Sequence, residues 1–355
     1  MTKPDRDRYS WCMVEPGQPL ERTEGAARTP EPGEVLIEIA GCGVCHTDIG
    51  FLDGHVPTRG GLPLVLGHEI SGTVLEAGDG ATEWIGSDVL VPAVIACGAC
   101  EPCAAGLPNV CSNQKLPGNN LDGGFATHVT VPATGLSVIE NVPAGYELAD
   151  LSVVADAVTT PLQAVTRAEV TEGDFVVVIG AGGIGTFAAH IAAARGATVV
   201  VVDIEASRLA PLLDHGAAAA VNATGLSAFD VRQQVREHAS SLGASRIGWK
   251  IFECSGTPSG QETAYGLLVP AATLSIVGFT PHKVTIRLSN LMAFDARAIG
   301  NWGCAPDLYP DAIELVTSGQ IQLLPFTRKV PMSEIATVLD EARQGSDPRR
   351  PILIP

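Results

Sequence analysis

Basic residues are scarce. The chain carries 22 Lys and Arg against 39 Asp and Glu, a formal charge of −17 over 355 residues. Such a field repels a phosphate backbone, so no nucleic-acid partner is expected. Long hydrophobic runs are missing too: the longest candidate, Phe175 to Val202, is broken by Gly, His and Arg, short of the roughly 18 apolar residues that a membrane span needs. The opening MTKPDRDRYSW is charged and lacks an apolar core followed by a small-residue cleavage site, so no secretory signal is expected. Nine cysteines are an odd number for a secreted disulfide framework, and four of them fall between positions 97 and 111. In a reducing cytoplasm that crowding points to metal. The expectation is a soluble, cytoplasmic protein without internal repeats or low-complexity tracts.

What is present fits an α/β protein. Apolar residues make up 46% of the chain, and 39 Gly and 25 Pro punctuate it, enough material for two domains with their own cores. From Glu34 to Thr130 the text reads as short strands cut by Gly and Pro, EVLIEIAGCG, GHEISGTVLEAG, SDVLVPAVI and FATHVTV, which predicts a barrel-like β domain. Past Asp156 the texture changes to FVVVI, a Gly-rich turn, a helical stretch and TVVVVD. That is a βαβ unit whose strands are apolar on both faces, as a covered parallel sheet requires. WKIFECSG and TLSIVGF continue the pattern, with TLSIVGF a candidate edge strand for pairing across a dimer. Helix-like segments at 311–318 and 333–343 and the short strand PILI close the chain.

Three constellations carry chemistry. Cys97, Cys100, Cys103 and Cys111 are spaced C-x2-C-x2-C-x7-C; four thiolates on one loop can close a tetrahedron around zinc with no open position, the mark of a structural site. Gly180-Ala181-Gly182-Gly183-Ile184-Gly185 follows a predicted strand and opens a predicted helix, where close backbone approach and free N–H groups suit a pyrophosphate. Asp203 ends the next strand, placed to accept hydrogen bonds from an adenosine ribose and to repel a 2′-phosphate, which favours NAD over NADP. Cys45-His46-Thr47-Asp48, Gly67-His68-Glu69 and Asp156 before Thr159-Thr160 are dispersed. Together they contain a thiolate, an imidazole and a carboxylate, enough for a catalytic zinc with one open position, although each residue alone also reads as a buried thiol, a core histidine or a surface acid.

In this order GCGVCHTD, GHE, the four-cysteine loop and GAGGIG resemble the zinc-dependent medium-chain alcohol dehydrogenase family over nearly the whole chain. The resemblance implies a GroES-like catalytic domain (1–155, with the return 301–355), a Rossmann NAD-binding domain (156–300), and two zinc ions per chain. It implies Cys45, His68 and Asp156 as ligands of the catalytic zinc, with Glu69 as neighbour and exchange ligand and Asp48 as the acid orienting His68. Thr47 would hold the substrate oxygen, His46 and Arg350 would reach the cofactor pyrophosphate, and Thr160 would lie beside the nicotinamide. Val277, Gly278 and Phe279 would read its carboxamide through their backbone, and Arg208 joins the cofactor residues.

Two departures stand out. Asp156 replaces the cysteine that many members use as third ligand, and Gly50 stands where many carry a histidine that passes the alcohol proton to solvent; His46 or His55 could substitute. GQETAYGLL, VGFTPHKVTIRLSNLMAFDARAIGNWGC and PGNNLDGGFATH resemble dehydrogenases of the 6-hydroxycyclohex-1-ene-1-carbonyl-CoA type. That implies an allylic cyclic alcohol carried on CoA as the small-molecule substrate. Lys115, Lys250, Lys283, Arg287 and Arg297 are candidates for a CoA-binding patch, each equally readable as a solvated charge. A conjugate reductase of an enone or enoyl thioester, a zinc dehydrogenase of a simple cyclic alcohol, and a dinucleotide-binding sensor are the alternatives. A homodimer or homotetramer is expected.

Overall fold

In a computed structural model describing residues 8–25 and 27–355, the chain divides into two units. One comprises the chain up to Thr159 together with Gly303–Pro355, the other Thr160–Trp302. The junctions fall a few residues past the textural boundaries at 155/156 and 300/301, which puts Asp156 in the first unit.

The first unit opens with β1 (Tyr9–Met13), β2 (Glu21–Glu24), β3 (Glu34–Gly43), α1 (His46–Leu52), β4 (Leu64–Val65), β5 (Glu69–Ala77), β6 (Asp88–Val91), α2 (Glu101–Ala104), β7 (His128–Pro132) and β8 (Ser137–Val138). A 3-10 helix, Leu148–Ala155, leads to the junction. β3 is buried along most of its length because β5 and β7 flank it antiparallel. Its two glycines make room for what packs there. A Cβ at Gly41 would sit 2.9 Å from the Ala149 Cβ, and one at Gly43 would overlap the Glu69 carboxylate at 2.0 Å.

The second unit runs α3 (Thr159–Arg167), whose first residue still belongs to unit one, β9 (Phe175–Ile179), α4 (Gly183–Ala194), β10 (Thr198–Asp203), α5 (Ala206–Asp214), β11 (Ala217–Asn222), α6 (Ala228–Ser241), β12 (Lys250–Glu253), α7 (Pro258–Tyr265), β13 (Thr273–Ile276), α8 (Ser289–Ala293) and β14 (Arg297–Gly300). All six strands are parallel, in the order β11-β10-β9-β12-β13-β14. That is the doubly wound arrangement, with its switch point between β9 and β12. Val177, Ile179, Val200, Val202, Ile251 and Leu274 form the core on one face. TLSIVGF is not an edge: β13 is hydrogen-bonded on both sides, and the edge is β14, a short and largely exposed strand that hydropathy alone does not reveal.

The chain then returns to the first unit as α9 (Tyr309–Thr317), β15 (Thr327–Pro331), α10 (Ile335–Gln344) and β16 (Arg350–Ile354). β16 lies antiparallel to β3 and parallel to β15, giving a sheet ordered β15-β16-β3-β5-β6-β8, with β7 on β3. The C-terminal strands thus complete a sheet begun more than three hundred residues earlier. The fold class is α/β, a β-rich domain plus a doubly wound parallel sheet. No helix among the described residues is long and apolar enough to cross a membrane.

Candidate active site

The mouth of β3 delivers the first ligand candidate. Cys45 precedes α1, and Asp48 in that helix's first turn is fully buried. One Asp48 oxygen accepts the Cys45 N–H at 2.9 Å; the other accepts the Gly67 N–H at 3.2 Å and lies 3.0 Å from His68 Nδ1. A carboxylate in that place holds the proton on Nδ1 and leaves Nε2 as the lone pair directed at a metal. His68 Nε2 is 3.7 Å from Asp156 Oδ2. The ligand atoms of Cys45, His68 and Asp156 lie within 4.8 Å of one another, a spread compatible with the ~3.3–3.7 Å ligand separations of a tetrahedral zinc. The donor set therefore fits zinc with one position open. The Thr47 hydroxyl is 3.6 Å from Cys45 Sγ and exposed.

Glu69 does not join that group. Its carboxylate is fully buried and paired bidentately with Arg350, Nε to Oε2 at 2.8 Å and Nη2 to Oε1 at 2.5 Å. Burial pushes Glu69 up to about 7, and Arg350 opposes the shift. The Arg350 guanidinium, which the resemblance assigns to a pyrophosphate, is thus engaged with Glu69 and almost wholly buried. His46 opens α1 on the surface.

The four cysteines converge as a second group. Cys100 Sγ stands 3.4 Å from Cys103 Sγ and 3.6 Å from Cys111 Sγ, close to the ~3.7 Å edge of a tetrahedron with 2.3 Å zinc–sulfur bonds. Backbone N–H groups of Cys97 and Asn113 point at Cys111 Sγ, both at 3.3 Å. A backbone hydrogen bond from Cys103 is the main cause that draws Cys100 down to about 6, and burial is the main cause that pushes Cys103 up to about 12. Thiols this close cannot all ionise without a cation, and zinc supplies the charge that lets them.

In the second unit the glycine-rich turn joins β9 to α4. Gly180 has φ +91°, and a Cβ at Gly185 would stand 1.7 Å from the Gly180 oxygen, so neither position admits a side chain. Gly182 caps α4, with Gly183 and Ile184 as its first residues, so the free N–H groups open at this turn. Asp203 accepts the Ala181 N–H at 2.6 Å and the Glu205 N–H at 2.9 Å, bracing the turn while each oxygen keeps a lone pair. Arg208 Nη1 is 3.9 Å from Asp203, and Thr160 is buried at the start of α3. Val277 and Gly278 both donate to the Glu253 carbonyl at 2.9 Å, and Phe279 is 72% exposed.

Some structural participants carry no clear local sequence signal. Glu253 is buried at the end of β12, where one oxygen accepts from Ser255 N and Gly256 N at 2.8 and 3.1 Å; an acid closing an apolar run before Cys-Ser-Gly is its only hint. Tyr309 is fully buried beside the backbone of Ala155, and nothing in its surroundings in sequence marks it. Of the candidate CoA-binding cations, Arg297 is committed to Glu169 at 2.7 Å, whereas Arg287 lines a depression of about 580 Å³ together with Arg232, Arg236, Phe229 and Ile286.

Residues 31–141 match the alcohol dehydrogenase GroES-like domain family and residues 183–318 the zinc-binding dehydrogenase family. The chain is 27% identical over 339 residues to an alcohol dehydrogenase of Geobacillus stearothermophilus, covering 95% of this chain and 96% of that protein. It is 30% identical over 316 residues to the 2-dehydro-3-deoxy-L-galactonate 5-dehydrogenase of Pseudoalteromonas atlantica, covering 88% and 89%. Among solved structures, galactitol-1-phosphate dehydrogenase from Escherichia coli superposes with a TM-score of 0.86 at 25% identity, over 98% of this chain and 100% of that one.

Proposed function

The chain belongs to the zinc-dependent medium-chain alcohol dehydrogenase family, and from that premise we propose that it oxidises a secondary alcohol to a ketone with NAD at the Cys45–His68–Asp156 site. The observation that carries this reading is Asp48, which bonds the backbone of one ligand candidate and the imidazole of another from a single buried carboxylate. When bound, zinc supplies Lewis acidity at an alcohol oxygen and NAD accepts a hydride. Cys45, His68 and Asp156 hold the metal, and Asp48 fixes the His68 tautomer. Thr47 takes the hydroxyl proton within hydrogen-bond reach and hands it outward through His46 or His55, since Gly50 offers no side chain. The glycine-rich turn and the start of α4 bind the pyrophosphate, Asp203 the adenosine ribose with Arg208 at its side, and Val277 to Phe279 the carboxamide, with Thr160 near the ring. Cys97, Cys100, Cys103 and Cys111 hold a structural zinc, and thiols kept free for metal suit a reducing cytoplasm. The working form is an oligomer, a homodimer or homotetramer.

For the substrate, an allylic cyclic alcohol on CoA is supported by the segments that resemble such dehydrogenases and by three arginines around one depression in an acidic chain. A polyol or sugar-acid substrate is favoured by the relatives named for sugar and polyol oxidation. A panel of a cyclohexenyl-CoA thioester, cyclohex-2-enol and galactitol, read by NADH absorbance, separates them. A kcat/KM higher by orders of magnitude for the thioester supports the first reading; preference for the polyol rejects it. Metal analysis tests the site itself. Two zinc ions per chain are expected, with Cys45→Ser losing one and keeping the fold, and Cys97→Ser losing the other together with stability. Equal unfolding by both would sink the assignment.

A further inference from the structure

Asp156 is the ligand candidate with the least regular backbone behind it. It follows the last residue of the 3-10 helix Leu148–Ala155, at φ −138° and ψ −51°. Carbonyls at a helix end have no partner within the helix, so something outside must fix the peptide that carries Asp156. Two hydroxyls do so: Thr159 Oγ1 donates to the Ala155 carbonyl at 2.9 Å, and Tyr309 Oη donates to the same oxygen at 2.8 Å. The same phenol accepts the Ala93 N–H at 3.0 Å. Tyr309 is wholly buried at the start of α9, where phenylalanine would fill almost the same space. The hydroxyl therefore joins three segments distant in sequence: the link from β6 to the four-cysteine loop, the peptide before Asp156, and the returning C-terminal stretch.

We propose that Tyr309 is a positioning residue for the catalytic metal, setting the Asp156 carboxylate through its hydrogen bond to the Ala155 carbonyl. The proposal rests on the reading of Cys45, His68 and Asp156 as the metal site. Loss of the hydroxyl frees the Ala155 peptide to rotate and leaves the Ala93 N–H buried without an acceptor. The effect falls on Asp156, whose own peptide carries the carbonyl that both hydroxyls bond, whereas Cys45 and His68 are tied by Asp48.

Tyr309→Phe in the zinc-loaded full chain tests this by zinc release to a chromogenic chelator. One zinc per chain should leave about 10-fold faster than from the wild type, the factor that a hydrogen bond of about 1.4 kcal/mol makes in an equilibrium, while the second leaves unchanged. Cobalt replacing that labile zinc should give a shifted visible absorption band. Thr159→Val removes the other donor to Ala155 without touching Ala93 and should show the same selective release; should Tyr309→Phe fail to fold, this variant carries the test. Wild-type release from both sites with an unchanged cobalt spectrum, alongside a lower melting temperature, would make Tyr309 a packing residue and overturn the proposal. If instead the wild type holds only one zinc, or Cys45→Ser keeps two, the metal-site reading itself fails, a result distinct from the failure of Tyr309.

Discussion

At the scale of single residues, the informative side chains make two connections at once. Asp203 braces the glycine-rich turn and sits where ribose hydroxyls are proposed to bind, so Asp203→Ala should cost more than specificity. Removing a charged acceptor from the buried Ala181 N–H and from the Glu205 N–H is worth about 1.5–3 kcal/mol, so KM for NAD should rise about 10- to 100-fold while the NAD-over-NADP preference narrows. Steady-state kinetics with both cofactors checks this, and a wild type that prefers NADP would contradict the role. His190 on α4 supplies a pH signature. Its ring stacks edge-on with His215 at 5.6 Å, and burial, helped by His215, draws its pKa down to about 4. The unfolded chain, with an ordinary histidine near 6.5, binds the proton at higher pH than the folded one. The stabilising neutral state is fully expressed above pH 6.5 and lost as pH falls towards 4, by about 3 kcal/mol at most. Urea unfolding from pH 7 to 4 should show a shallower stability loss in His190→Gln than in the wild type.

At the scale of elements, the Glu69–Arg350 pair ties the last strand to the second ligand segment. Glu69 begins β5 and Arg350 begins β16, and both are buried. Gly43 in the strand between them leaves the space that the carboxylate fills. Breaking such a pair leaves a bare buried charge, costing about 3–5 kcal/mol, whereas replacing both partners by apolar side chains is often neutral. Arg350→Met should therefore lower stability in denaturant by that amount, and Glu69→Leu combined with Arg350→Met should recover most of it. If the double variant is no more stable than the single one, the pair is not what holds β16 in place. Neither partner signals the other in the sequence. GHE advertises a metal neighbourhood, and an arginine beside the final strand advertises only a cation.

On the scale of the whole molecule, the two units differ in how the chain supplies them. Thr160–Trp302 is continuous, with its own six-stranded sheet and core, whereas the other unit needs both ends of the chain because β15 and β16 complete the sheet of β3. Residues 160–302 expressed alone should fold cooperatively and bind NADH, seen as enhanced nicotinamide fluorescence. A chain truncated after Trp302 should lose the fold of its first unit, for it lacks two strands and the partner of a buried carboxylate. Circular dichroism and melting of the two fragments decide this; a truncated chain with native stability would count against the shared sheet.

Sequence alone determined what depends on local spacing. The four-cysteine loop, the glycine-rich turn with Asp203 at the next strand end, and the contrast between punctuated β text and buried parallel strands are all encoded within short windows, where backbone geometry and ligand chemistry leave few choices. The dispersed site was only partly legible. Its residue types suit a metal, but 111 positions separate Cys45 from Asp156, and no periodicity reports that β3, β5 and a 3-10 helix converge. Tertiary structure alone decided that β14 rather than β13 is the sheet edge, that Arg350 closes on Glu69, and that Tyr309 bonds the peptide before Asp156. Each is a contact between segments remote along the chain, fixed by which strands pair and which groups must be satisfied once buried.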